Sequence, residues 1–263
     1  MGYTSLMLET KKKIDIHSKK SKRSGFAGLA ETFLLSFRTF SHFIFFLGIL
    51  CIAVIVATIS MTPSFFLYQH LAKLTQDLPL LFIAFSQAFS LALGYLMYGL
   101  TIIFVAPAFN KLNPFPVRPG TIAWHSLQTI PWVYHNSLVF LVRYTFLEFL
   151  TPSPINILFY RMMGMKIGKG VMINTTNISD PCLITIEDYV TVGGSAHILA
   201  HYGQKGILII APVFIGKSSV LGLKSTVMGD VVIGKNCSIG PHEVVMPKSR
   251  IPDNTRLPLS SSS

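Results

Sequence analysis

Residues Ile209 to Arg256 read IIAPVFIGKSSVLGLKSTVMGDVVIGKNCSIGPHEVVMPKSRIPDNTR. Divided into sixes from Ile209, every block opens on an aliphatic residue: Ile209, Ile215, Leu221, Val227, Ile233, Ile239, Val245 and Ile251. The second place is glycine in four blocks (Gly216, Gly222, Gly234, Gly240). The fifth is small or β-branched at Val213, Ser219, Ser225, Val231, Cys237, Ser249 and Thr255, with Glu243 the exception. A unit of six cannot close a core alone, so each must be one side of a coil whose inward aliphatic stacks on the coils above and below. The spacing therefore predicts a parallel β-helix. Glycine at the second place suits a corner where the backbone needs φ > 0 or leaves no room for a Cβ.

Upstream the repeat is less regular. Ile167 and Ile173 keep the six-residue step, Ile178 to Thr185 breaks it, and Ile186, Val192 and Ile198 resume it. From Ile198 to Ile209 the step is eleven, so five extra residues are expected to leave the coil. The excursion contains His201, and His197 stands just before it. Loops carried on a rigid scaffold are where chemistry tends to sit.

A β-helix does not account for the composition, 51% hydrophobic against 13% charged. Thr39 to Ala72 contains no Lys, Arg, Asp or Glu, and Phe43 to Met61 is almost wholly apolar. About 20 helical residues cross a hydrocarbon core of about 30 Å. A second charge-free run, Leu78 to Asn110, contains Leu80 to Val105 and closes with Pro107. Two transmembrane helices are expected; a cleavable signal peptide would be shorter, earlier and followed by a small-x-small site. Residues 1 to 38 carry eight Lys/Arg against Glu9, Asp15 and Glu31, and the link between the spans holds only Lys73 and Asp77. Lys111, Arg118 and Arg143 follow the second span with no acid before Glu148. The positive-inside rule then puts both ends in the cytoplasm, as in a multi-pass protein of a bacterial inner membrane with a cytosolic β-helix. The basic tail is expected to stay loose and to be drawn to membrane lipids of anionic headgroup, at roughly 1 kcal/mol per basic residue.

The chain thus divides into a basic tail (1–38), a two-span hairpin (39–110), connecting or interfacial helices (111–165), the β-helix (166–258) and a short tail (259–263). The connecting segment opens on a rigid break, Asn113 to Gly120, and then mixes Trp124, Trp132, Tyr134, Phe140, Tyr144, Phe146 and Phe149 with few charges. It fits a helix lying in the bilayer interface or a core helix packed on the β-helix base. His125 and His135 read there as interfacial polar tips rather than ligands. The three cysteines, Cys51, Cys182 and Cys237, have no metal-ligand spacing and read as unpaired packing residues.

The passages NPFPVRPGTIAWHS and TPSPINILFYRMMGMKIGKGVMINTT resemble the join into the β-helix in the membrane-bound terminal region of polylysine-synthetase-like non-ribosomal peptide synthetases. The repeats resemble the left-handed β-helix acyltransferases of the hexapeptide-repeat superfamily. The likeness covers about Asn113 to Pro258; these residues hold no adenylation or carrier domain, so polymerase activity is not carried over. The resemblance implies a left-handed coil, a homotrimer, and transfer of an acyl group, acetyl above all, from a pantetheine thioester to a hydroxyl or amine of an envelope-associated acceptor. The donor substrate would be acyl-CoA (acetyl-CoA) or an acyl-carrier protein, with no bound cofactor and no metal. Histidine suits the general base such attack needs. HYGQKGILIIAPVFIG looks like the family segment that carries it, which places the role on His201, with His197 as rival. Asp180 either orients the imidazole or is a corner residue before Pro181. The donor would lie along a groove between subunits at Gly216, Gly222 and Gly240, with Lys248 and Arg250 meeting phosphates. Basic residues at these repeat places point outward in any case. Glu187 and Asp188 read as solvated corners.

Two other classes compete. A non-catalytic membrane-anchored scaffold would keep the repeats without needing the loop histidines. A γ-carbonic-anhydrase-like metalloenzyme would gather His197, His201 and His242 on zinc. Net charge +11 raises a nucleic-acid binder, but eight of the 22 basic residues lie in the tail and no stacking platform accompanies them, so no nucleic-acid partner is expected.

Overall fold

The computed structural model describes residues 20–258 other than Lys22. Part of the tail expected to be loose is a helix, α1 (Gly25–Ser36), because FAGLAETFLLS is rich in Ala, Leu and Glu. The remainder of that basic segment, residues 1–19 and Lys22, lies outside the described residues.

Helices α2 (Arg38–Leu74) and α3 (Leu80–Leu112) are both long and apolar enough to cross a membrane. Within their most apolar stretches 11% and 28% of residues are buried by protein, and Phe43, Phe46, Val54, Leu81, Phe85 and Phe89 stand exposed. Both helices are apolar all round and little covered by protein. The pair crosses on small residues: Ser64 Oγ donates to the Gly94 carbonyl at 2.6 Å, and a Cβ at Gly94 would lie 3.3 Å from that of Ser64. Pro107 lies inside α3, which continues to Leu112.

The connecting segment opens with a strand, β1 (Gly120–Ala123), where helix was expected, and continues with α4 (Thr129–Val142), a π-helical turn (Arg143–Leu147) and α5 (Pro154–Met162). Of the two readings of α4, packing favours the core helix: Thr129, His135, Asn136, Leu138, Val139 and Val142 are all buried. Phe146 lies flat on Gly99 of α3, where a Cβ would fall 2.1 Å from the ring. Tyr134 donates its hydroxyl proton to the Phe109 carbonyl at 2.9 Å.

The rest is a parallel β-helix of about five turns. Its first coil is β2 (Lys166–Ile167), β3 (Met172–Ile173) and β4 (Ile178–Ser179); its second is β5 (Ile184–Ile186), β6 (Thr191–Val192) and β7 (His197–Leu199). An antiparallel hairpin, β8 (His201–Gln204) and β9 (Ile207–Ile210), then leaves the coil. The third coil is β10 (Val213–Ile215), β11 (Val220–Leu221) and β12 (Thr226–Val227), and the fourth is β13 (Val231–Ile233), β14 (Ser238–Ile239) and β15 (Val244–Val245). β16 (Arg250–Ile251) and β17 (Arg256–Leu257) open the fifth. Ile215 pairs Ile233 and Ile233 pairs Ile251, each one 18-residue coil apart. The inward column Ile186, Ile215 and Ile233 is 0–1% exposed, and each such side chain contributes about 1.5–3 kcal/mol through burial.

Two features depart from the expected pattern. Ile186 registers with Ile215 and Ile198 with Val227, so Ile215 rather than Ile209 resumes the stack. Ile198 to Ile215 spans 17 positions where Val227 to Ile233 spans six, which makes the excursion eleven residues instead of five. Ile209 belongs to the hairpin, where it pairs Tyr202 and Thr121; an apolar residue of a second small sheet had coincided with the period of six. The left-handed backbone, in turn, falls on the fourth place of each block from Ile215 on: Ser218, Lys224, Asp230, Asn236, His242, Lys248 and Asn254 all have φ of 54–70°. The second-place glycines answer to crowding alone, since a Cβ at Gly216 or Gly222 would lie 2.6 Å from backbone atoms of the next coil.

Candidate active site

The three corner columns of the coil are chemically different. One, after β4, β7, β12 and β15, holds Asp180, the root of the hairpin, Asp230 and Lys248. Asp180 sits in left-handed backbone at φ 58°, ψ 47°, and is fully buried. Ile178 and Ile186 are eight apart where six is regular. The two extra residues are taken up in the three-residue turn Pro181–Leu183 that lets the chain bulge here.

His201 begins β8 directly above this bulge. Its Nδ1 lies 2.5 Å from Asp180 Oδ2. An ionised carboxylate only accepts, so it holds the imidazole as the Nδ1–H tautomer and leaves the Nε2 lone pair free to take a proton. The imidazole side chain is 21% exposed while the carboxylate is not exposed at all. This is a base with access from outside and a fixed orientation.

Three elements hold that arrangement. The hairpin turns on Lys205 and Gly206, both at positive φ (49° and 76°), as a two-residue loop between right-twisted strands requires. β1 pairs with β9 to make a three-stranded sheet, in order β1-β9-β8. Below it, Gly229 presses on the chain: a Cβ there would lie 2.9 Å from the His201 nitrogen and 3.1 Å from the Ala200 carbonyl carbon. From the side, α4 supplies Trp132, whose ring meets the His201 imidazole edge to face at 4.9 Å, and Trp124 stands against Trp132 at 5.9 Å. Asn136 of the same helix bonds Asp180 twice, as described below.

The other expected residues fall as follows. His197, in β7, is exposed, points out of the coil beside Thr226, and makes no contact with Asp180. Lys248 is exposed on the same corner column as His201, two coils further on, or about 10 Å at about 4.8 Å per strand spacing. Arg250 is committed to Asp230, its Nη2 donating to Oδ1 at 2.6 Å. Gly216 lies on a second column, and Gly222 and Gly240 on a third, so within one chain none of them approaches His201. His242 is a corner residue of that third column, apart from His201, and among the described residues no group of three metal-ligating side chains comes together. Glu187 and Asp188 are more than solvated corners: they accept the Lys217 and Lys169 amides at 2.9 and 2.7 Å and so tie coil to coil.

Two groups near the dyad, buried His135 and half-buried Cys182, are held neutral. Burial, partly opposed by Asp180, lowers His135 to about 4. Its Nδ1 faces Asn110 Oδ1 of α3 at 2.9 Å, so it is a buried link between helices rather than an interfacial tip. Burial, with the Asp180 charge adding to it, pushes the Cys182 thiol up to about 12, which leaves no thiolate at neutral pH. Trp132 was visible in the sequence only as one aromatic among many, and Asn136 and Gly229 carried no signal, because their roles depend on which coil and helix they meet.

No family model matches the chain. It is 26% identical over 107 residues to the delta-poly-L-ornithine synthetase of Acinetobacter baumannii (strain AB307-0294), a match covering 41% of this chain and 8% of that protein. The chain therefore spans a small part of that relative's length. Among solved structures, it is similar to the serine acetyltransferase CysE of Neisseria gonorrhoeae, with TM-score 0.35 and 13% identity over 60% of this chain and 49% of that one. Serine acetyltransferase isoform 3 of Entamoeba histolytica, in complex with cysteine, gives TM-score 0.30 and 15% identity over 73% and 69%. Neither likeness is close enough to bear on activity.

Proposed function

We propose that this protein is a membrane-anchored acyltransferase that moves an acyl group from a pantetheine thioester, acyl-CoA or acyl-carrier protein, to a hydroxyl or amine. The observation that carries this reading is the contact between His201 Nδ1 and the buried Asp180 carboxylate at 2.5 Å, which presents Nε2 as a base on the rim of a rigid coil. As the acceptor oxygen or nitrogen attacks the thioester carbonyl, its proton passes to His201 Nε2. The C–S bond of the tetrahedral intermediate then breaks, and the leaving thiolate takes that proton back, so imidazole and free thiol are regenerated. Asp180 stabilises the imidazolium between the two transfers. Attack is direct, because the half-buried Cys182 thiol stays protonated and Cys237 is packed inside the coil.

The coil is read as left-handed and the protein as a homotrimer with its donor groove between subunits, in which Gly216, Gly222 and Gly240 of one copy would line the site of another. Lys248 is the phosphate contact on the His201 column; Arg250, already paired, serves Asp230 first. The lipid-facing surfaces of α2 and α3 support anchoring in a bacterial inner membrane with an envelope-associated acceptor. The test is turnover of His201→Ala, followed as thiol release from acetyl-CoA in the presence of membrane extract. A fall of about 10²- to 10⁴-fold is expected for loss of general-base assistance, and His197→Ala should cost less. Near-native turnover in both variants would remove the reading.

A further inference from the structure

We infer that Asn136, on helix α4, is a positioning residue for the dyad, and that the base is therefore set by the helix that docks on the membrane-proximal end of α3. The inference rests on the acyltransferase reading for its kinetic arm only. Asn136 is 4% exposed and meets Asp180 at two points. Its Oδ1 accepts the Asp180 backbone N–H at 3.0 Å, and its Nδ2 donates to Asp180 Oδ1 at 2.6 Å. A backbone N–H can only donate, so the amide orientation is forced, and the second Nδ2 proton goes to the Trp132 carbonyl at 3.0 Å. Asp180 Oδ1 is thus engaged by Asn136 and Oδ2 by His201. A carboxylate with no exposed surface has no water to replace either partner.

The left-handed backbone at Asp180 turns its N–H and its side chain toward one helix, and the helix answers with one amide. Trp132, one turn earlier on α4, packs on the imidazole itself. His135 and Tyr134, between them in sequence, bind Asn110 and Phe109 near the end of α3. One short helix therefore touches both members of the dyad and the end of the second long apolar helix. The titratable groups around His201 are Asp180, Asp230 beside Tyr202, His135 and Cys182; Asp230 is paired with Arg250, and burial keeps His135 and Cys182 neutral.

The chain has two tryptophans, and both stand at this site, so its emission reports on it directly. Protonated imidazole quenches a neighbouring indole, and fluorescence against pH in the full-length protein should show a step that His201→Ala removes. In Asn136→Leu that step should move by about half a pH unit or more, while kcat falls about 10- to 100-fold and the KM for acetyl-CoA stays within about twofold. Asn136→Asp supplies a test that bulk packing does not affect. Its new carboxyl, once protonated, can donate to Asp180 Oδ1 and accept from the N–H as the amide does. The ratio of Asn136→Asp to Asn136→Leu turnover should then rise between about pH 8 and about pH 6. A fluorescence step that stays in place in both variants would overturn the assignment, as would a flat ratio. If the step moves and no acyl transfer is found even in the unaltered protein, the activity reading fails and the role of Asn136 stands.

Discussion

Asp180 is where the chemistry and the fold make opposite demands. Burying a carboxylate costs several kcal/mol unless its lone pairs are used, and a corner of a β-helix could hold almost any residue in its place. Its two carboxylate oxygens are taken up by Asn136 and His201, and accepting a hydrogen bond from the imidazole is what selects the Nδ1–H tautomer. Asp180→Asn should therefore be a sharper test than removal. The amide can turn its own N–H toward His201 Nδ1, which then accepts and leaves the proton on Nε2, so the base is lost while the volume is kept. Turnover should drop about 10²- to 10⁴-fold with a melting temperature close to that of the unaltered protein. Equal turnover would mean that Asp180 is only a corner residue. The sequence made His201 and Asp180 legible as candidates because an interrupted repeat and an irregular turn stand out against a period of six. Their pairing was not legible: they stand 21 positions apart and become neighbours only after the second coil has been laid on the first.

Among the elements, the β8–β9 hairpin shows both the power and the blind spot of periodicity. The stacked aliphatics from Ile215 onward could be read directly, since each faces one axis at fixed spacing. Ile209 also fitted the count, yet it lies in a sheet built with β1, a strand from the far end of the connecting segment. Non-local antiparallel pairing leaves no period in the sequence, and a four-residue strand such as TIA preceded by Gly120 is too short to announce itself. The hairpin also explains Gly229. Gly216 and Gly229 would both clash on gaining a Cβ, at 2.6 and 2.9 Å from backbone, but the first meets the next coil while the second meets the His201 and Ala200 backbone. Gly216→Ala should lower the melting temperature as a general loss of coil packing and, because Gly216 lines the proposed donor groove, raise the KM for acetyl-CoA, with kcat per folded molecule unchanged. Gly229→Ala should instead cut turnover, by about tenfold or more for a displacement near 1 Å at the base, with a smaller change in melting temperature. The opposite ranking would show that the hairpin is not held in place from below.

Access of acyl donor and acceptor to the dyad depends, for the whole molecule, on which side of a bilayer the dyad occupies. In the proposed anchoring, α2 and α3 would return the chain to the side on which it began, and α4 fixes the β-helix against the last turns of α3 through Phe109 and Asn110. The site is therefore held close to the plane where α3 ends, and an acceptor embedded in or tethered to that membrane face needs no long reach. The charge pattern bears on the face. Lys20 and Arg23 precede α1, Lys111 and Arg118 follow the charge-free part of α3, and where α2 meets α3 stand Lys73, in the last turn of α2, and Asp77, which cancel. If the two helices span a membrane as proposed, positive charge flanking them on one side only predicts that this side is cytoplasmic. A phosphatase reporter that is active only outside the cytoplasm, fused after Ser263, should give no signal, and the same reporter inserted at Gln76 between the spans should give a strong one. Adding three lysines to that link should weaken or invert the pattern, because the bias rests on few charges. Signal from the fusion after Ser263 and silence at Gln76 would reverse the orientation and put the dyad outside the compartment that holds acyl-CoA, which would leave the proposed donor without access to His201.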